Sequence, residues 1–111
     1  MNPFLIINAI TGLTLVIAGL LMTKYPPKTI NSLYGYRTKQ SMSTQEKWDF
    51  AQVYSAKRLL ISGLVMIAIG LVGLFIDMTE TQAGIICVII VLLACFIPLI
   101  ATEKALRQLE D

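Results

Sequence analysis

The chain has 111 residues, 56% of them hydrophobic and only 14% charged, with a mean hydropathy of +0.72. That length fits one domain, and that composition sets the chain apart from soluble globular proteins. A net charge of +2 is too small to point to nucleic acid, and the absence of His removes the commonest metal ligand and general base.

Residues 3–22 carry no charged side chain, and about twenty apolar residues are what a hydrocarbon core of roughly 30 Å requires. No Lys or Arg precedes this run, and Leu20-Leu21-Met22 is no cleavage signature, so the reading is a retained first span rather than a secretory leader. Gly12 and Gly19 lie seven apart and mark one face for close helix packing. Asn8, Thr11 and Thr14 can bond a neighbouring helix or their own backbone. Pro26-Pro27 ends the helix, because proline lacks the donor and clashes with the preceding turn. Lys24 and Tyr25 suit an interface. Residues 28–33 are short and mixed, and read as a turn of helix along the membrane surface.

Residues 33–57 form the only long polar stretch. It holds Arg37, the single Trp48 and three of the four Tyr. Gly35, between Tyr34 and Tyr36, permits a bend. Ser43 is the predicted N-cap of a helix, and Glu46 three residues on completes a capping box. On that helix Trp48, Ala51, Gln52, Ser55 and Leu59 share one face by the three-and-four spacing. Glu46 and Asp49 repel one another with no cation three or four residues downstream. Arg37 is therefore expected to fold back onto them, holding a carboxylate and stacking on Tyr36 or Trp48. The plain alternative is a solvated loop with an interfacial Trp.

Residues 59–76 form the second span. Joined to residue 44 it makes a helix of 33 residues, about 50 Å long, whose first third stands out of the bilayer. Gly63 and Gly70 repeat the seven-residue spacing, so the two glycine faces are expected to pack together. Residues 77–82 are a tight connection, and residues 83–101 the third span. Cys87 and Cys95 lie about 12 Å apart along it, beyond disulfide reach, and read as buried small hydrophobes; no metal site is expected. Pro98 is expected to kink this helix. A short amphipathic tail follows, with Glu103 and Arg107 at i,i+4.

The order Gly35-Tyr36-Arg37-Thr38, then Ser41-Met42, then Trp48, Ala51 and Gln52 resembles the signature of the SdpI family. These are bacterial membrane proteins named for immunity to a secreted sporulation-delaying toxin. The resemblance covers about a fifth of the chain and implies the short, three-span form, without the extra domains of larger members. It implies toxin or bacteriocin immunity, with a peptide toxin as partner. Some members are thought to hold a transcriptional repressor at the membrane, which implies the alternative of a signalling module docking a cytoplasmic regulator.

The expected fold is thus all-α and membrane-integral, with three spans and an ordered loop over residues 24–58. All nine Lys and Arg side chains fall in that loop or in the C-terminal tail, and none in the N-terminus or the second connection. Cytoplasmic loops collect such cations, so loop and C-terminus are placed in the cytoplasm and the N-terminus outside. The cations also face anionic lipid headgroups. Three thin helices with glycine faces suit a homodimer. No ionisable residue lies midway in a span, which speaks against a pump or transporter. No P-loop, Gly-x-Ser-x-Gly or His-Glu-x-x-His occurs, and nothing buries Lys57 enough to activate a serine, so neither catalysis nor a cofactor is expected.

Overall fold

A computed structural model describes residues 2–109. The elements are α1 (Pro3–Lys24), α2 (Gln45–Val72), a 3-10 turn (Gly73–Phe75) and α3 (Glu80–Gln108), with no strand among the described residues. All three helices are long and apolar enough to cross a membrane. Without water to solvate them, the backbone amides of a spanning segment must bond within the segment, which selects the helix. Only 22%, 22% and 17% of the three apolar windows is buried inside the chain, so most of the apolar surface is left for lipid.

Each helix starts at a side-chain cap. Asn2 accepts from the Leu5 amide at 3.3 Å, with Pro3 in the first turn, where its missing donor costs nothing. At α2 the cap is Thr44, whose hydroxyl accepts from the Lys47 amide at 3.1 Å. The predicted Ser43–Glu46 box does not form; Ser43 donates instead to the Gln40 carbonyl at 2.6 Å. A capping box does occur at Thr79–Gln82, where the two side chains bond each other's backbone amides at 3.1 Å each. That box starts α3 at Glu80, earlier than residue 83, and the expected tail is the unbroken continuation of the same helix through Gln108.

α1 and α2 form an antiparallel hairpin along a seven-residue register. A Cβ at Gly12 would stand 2.7 Å from the Gly63 carbonyl oxygen, and one at Gly63 would collide with the Gly12 carbonyl and stand 2.8 Å from the Val16 amide. One turn pair toward the loop, a Cβ at Gly19 would meet the Ala56 carbonyl at 2.8 Å; at the other end Gly70 faces Leu5 and Asn8. Lipid tails are as apolar as the side chains, so burial alone does not drive helices together in a bilayer; close backbone approach and its dispersion contacts do. The two glycine faces therefore meet as expected, with Gly12 on Gly63 and the outer pair on alanine, leucine and asparagine.

α3 packs chiefly on α2 and touches α1 less. At the end away from the loop, Asn8 is fully buried at the meeting of three helices; its amide donates to the Phe4 carbonyl at 2.8 Å and to the Cys87 sulfur at 3.6 Å. Cys87 is buried, but Cys95 faces outward, contrary to expectation, and both are free thiols. The helical step of eight residues turns Cys95 off the face that Cys87 occupies.

Gly63→Val is expected to lower the unfolding free energy in detergent micelles by about 1–3 kcal/mol or more, the cost of overpacking a close contact. Gly84→Ala, where a Cβ meets open space, should leave the unfolding midpoint unchanged or slightly higher. Equal midpoints for the two variants would show that α1 and α2 do not touch at Gly63.

Candidate functional site: a polar knot over the helical hairpin

The connection between α1 and α2 is not a loose loop. Tyr25-Pro26-Pro27 ends α1, and Pro27 is left with a carbonyl that no helix uses. Trp48, one turn into α2, is fully buried and donates its indole N–H to that carbonyl at 2.7 Å. A buried indole needs such an acceptor, so Trp48 is a bolt through the knot rather than an interfacial ring. The chain then turns at Asn31, whose side chain accepts from the Leu33 and Tyr34 amides at 2.9 and 2.7 Å. This replaces the expected helical turn over residues 28–33. The Tyr34 hydroxyl returns to the end of α1, donating to the Tyr25 carbonyl at 2.7 Å.

Gly35 has φ +109°, a region side chains disfavour. A Cβ there would also stand 2.6 Å from both the Gln52 side-chain oxygen and the Pro27 ring. Gly35 thus lets the backbone pass between Pro27 and α2. The next residue is held from both sides of its peptide unit. The Gln52 side-chain oxygen accepts from the Tyr36 amide at 2.7 Å, and its NH₂ donates to the Tyr36 carbonyl at 2.9 Å. Gln52 is buried, so one side-chain amide stands in for the neighbouring strand that an extended backbone would otherwise require.

Thr38 and Ser41 close the next turn on each other. The Ser41 hydroxyl accepts from the Thr38 amide at 2.8 Å, while the Ser41 amide donates to the Thr38 hydroxyl at 3.1 Å. The Ser41 hydroxyl oxygen lies 3.1 Å from both the Tyr36 and the Thr38 carbonyl oxygens, to which it can donate its one proton. Ser41, Ala51 and Ser55 are buried with Trp48 and Gln52, four of the five lying on the α2 face that the sequence spacing marks.

The knot reaches α3 through one carboxylate. Tyr36 and Thr38 both donate hydroxyl protons to the same Glu103 oxygen, at 3.0 and 3.1 Å, and the Tyr36 hydroxyl also lies 3.3 Å from the Leu99 carbonyl. Burial pushes the Tyr36 phenol well above its ordinary pKa, and the Glu103 carboxylate adds to that shift; only the Thr38 bond pulls the other way. Glu103 is thus committed to the knot rather than to the predicted helical pair with Arg107.

Arg37 takes no part in this. It is exposed and donates to the Ser32 carbonyl, and among the described residues it makes no ion pair with Glu46 or Asp49. Asp49 instead accepts from Gln45 at 2.8 Å, and Gln45 also donates to the Lys28 carbonyl at 2.7 Å. Glu46 is exposed in the first turn of α2, where it complements the helix dipole. Of the motif, then, Gly35, Tyr36, Thr38, Ser41, Trp48, Ala51 and Gln52 come together, and Arg37, Glu46 and Asp49 stay on the rim. Sequence reasoning misses Pro27, Tyr34 and Glu103. Pro27 has a signal, since a buried Trp beside a Pro-Pro break needs a carbonyl; Glu103, 65 residues or more from its partners, has none. Among the described residues no group of three His, Cys, Asp or Glu could hold a metal.

Two outcomes test the knot. Gln52→Leu leaves buried Tyr36 groups without their partner, each worth about 1–3 kcal/mol, so its unfolding midpoint should fall well below that of the rim variant Arg37→Ala. A phenol whose pKa is raised on folding stays protonated where the unfolded chain ionises, so its stability contribution is present below about pH 10 and is lost as pH rises further. Tyr36→Phe should therefore flatten the alkaline loss of stability relative to wild type; parallel curves above pH 10 would show that Tyr36 is not the buried phenol.

The SdpI/YfhL protein family matches residues 28–102, which take in α2, most of α3 and the knot except for Tyr25, Pro27 and Glu103. A Bacillus subtilis (strain 168) protein, the uncharacterized YfhL, is 42% identical over 96 residues, covering 86% of this chain and 82% of its own length. No solved structure matches the chain. With three membrane-length helices and this match across more than half its sequence, the chain is a member of the SdpI/YfhL family.

Proposed function

We propose that this protein is an immunity protein of the bacterial cell membrane, protecting its cell from a secreted, membrane-active peptide toxin. The reading rests on family membership and is carried by one observation: the motif's buried polar groups are turned inward and bonded to one another. Such a motif braces helices for binding and does not expose a reactive centre. The role is therefore binding rather than catalysis. All Lys and Arg residues belong to the loop or to the C-terminal end of α3, and positive-inside sorting puts that end in the cytoplasm.

The opposite end then faces outward, where a secreted peptide arrives. There a cavity of about 730 Å³ opens between α1, the 3-10 turn and α3, lined by Phe4, Ile7, Met78, Thr79, Gly84 and Cys87 among others. Its lining combines apolar side chains with Asn2, Thr79 and Glu80 at the capped N-termini of α1 and α3, a mixed character that suits an amphipathic peptide. The alternative, docking of a cytoplasmic regulator, draws on the rim of the knot, where Leu33 is 92% exposed beside Arg37.

Expression in a sensitive host, challenged with a panel of secreted antimicrobial peptides, tests the proposal. Wild type should raise the survival threshold for at least one peptide. Gly84→Phe, at a cavity-lining position where a Cβ meets open space, should reach the membrane in equal amount yet lose most of that protection. Arg37→Ala should keep it, whereas the docking reading predicts that Arg37→Ala loses a co-purifying cytoplasmic protein. No protection against any peptide would remove the immunity reading.

A further inference from the structure

A second cavity lies on the lipid-facing side of the bundle. It is a groove of about 290 Å³ between α2 and α3, walled by Ile61, Val65 and Ile69 on one side and Ile90, Ala94 and Ile97 on the other. No charged group lines it. From Ile61 to Ile69 it runs about 12 Å along the helix, close to the depth of one leaflet's hydrocarbon, which is half of roughly 30 Å.

Both walls continue into a cation at the loop end. Arg58 precedes Val65 by seven residues and Ile69 by eleven, so whole turns of helix put it on the face of the groove. Lys104 follows Ile97 by seven residues and stands on the same face of α3. Arg58 is held in place: it donates to the Tyr54 hydroxyl at 2.9 Å, with its guanidinium carbon 5.1 Å from the ring centre. That leaves its remaining N–H groups to a further acceptor. The nearby acids are directed elsewhere. Glu103 accepts from Tyr36 and Thr38, and Asp49 from Gln45. Glu46 lies a third of a turn away round α2. Among the described residues no ion pair engages Arg58 or Lys104.

We propose that this groove is a specific site for one anionic glycerophospholipid of the leaflet at the loop end, with an acyl chain between α2 and α3 and the phosphate between Arg58 and Lys104. Charge complementarity selects an anionic headgroup, and a groove one leaflet deep selects an acyl chain. A partner helix would need a contact face continuing through both leaflets. The site is independent of the immunity reading, since it requires only that the chain sits in a bilayer.

The test is native mass spectrometry of the full chain released from nanodiscs holding equal parts phosphatidylglycerol and phosphatidylcholine. A cation near the headgroups contributes enough that two should favour the anionic lipid by roughly ten- to thirtyfold. The double variant R58Q/K104Q should bring that ratio close to one with the helical content unchanged. Val65→Trp, placed on a half-exposed position, should abolish retention of either lipid. The double variant K28Q/K39Q removes the same charge from the loop elsewhere and should leave the preference intact. Equal retention of both lipids by wild type overturns the proposal. So does a preference that survives R58Q/K104Q, or one that K28Q/K39Q weakens as much, which marks diffuse attraction to the whole basic end. A wild-type dimer that Val65→Trp dissociates also overturns it, by giving the groove to a second copy.

Discussion

A backbone that leaves one membrane helix and must enter the next needs a partner for every amide along the way, and here the side-chain amide of Gln52 supplies both partners for Tyr36. The rest of the knot follows from that pairing. Tyr36 can lie flat against α2 only because Gly35 has no Cβ and a positive φ. It can stay there only because Trp48, one helical turn before Gln52, holds Pro27 by a 2.7 Å bond. With the Tyr36 backbone fixed, its ring projects toward α3, and Thr38 is carried to the same Glu103 oxygen. One buried glutamine thus sets a path that ends on a helix distant in sequence.

The geometry of the hairpin makes this possible. Pro27 and Trp48 must lie within a hydrogen bond of each other, which requires α1 and α2 to run very close at their loop ends. The approach of Gly19 to the Ala56 carbonyl and of Gly12 to Gly63 achieves that. In lipid these contacts replace the hydrophobic drive that a soluble hairpin would use. The glycine register and the polar knot are therefore one device, the first setting the spacing and the second fixing it.

Patterns of span length, glycine spacing and helical face were legible because each depends on residues near in sequence. The seven-residue steps from Gly12 to Gly19 and from Gly63 to Gly70 gave the packed faces, and the spacing of Trp48, Ala51, Gln52 and Ser55 gave the buried side of α2. What failed depended on choosing among equals. Ser43 and Thr44 are both good caps, and Glu46 drew the reading to the earlier one, although the helix begins at Gln45. Attraction of opposite charges favours Arg37 against Glu46 or Asp49. An exposed ion pair is worth only about 0–1 kcal/mol, however, and the Ser32 carbonyl serves the guanidinium as well. The i,i+4 spacing favours Glu103 with Arg107 in the same way. Two neutral hydroxyls from a loop 65 residues away took its place, and no local pattern announces a contact at that range.

The helices are not held equally. α1, α2 and the knot are tied by backbone contact, by a buried indole and by a two-point amide pair. Among the described residues α3 is tied by polar bonds only near its two ends: to the knot through Glu103 and the Leu99 carbonyl, and to α1 through the 3.6 Å contact of Asn8 with Cys87. Between those ends it presents apolar side chains to α2 and to lipid. Three cavities border it, two shared with α1 and one with α2. Tyr36 and Thr38 thus spend their hydroxyls on α3 at the end where the knot sits.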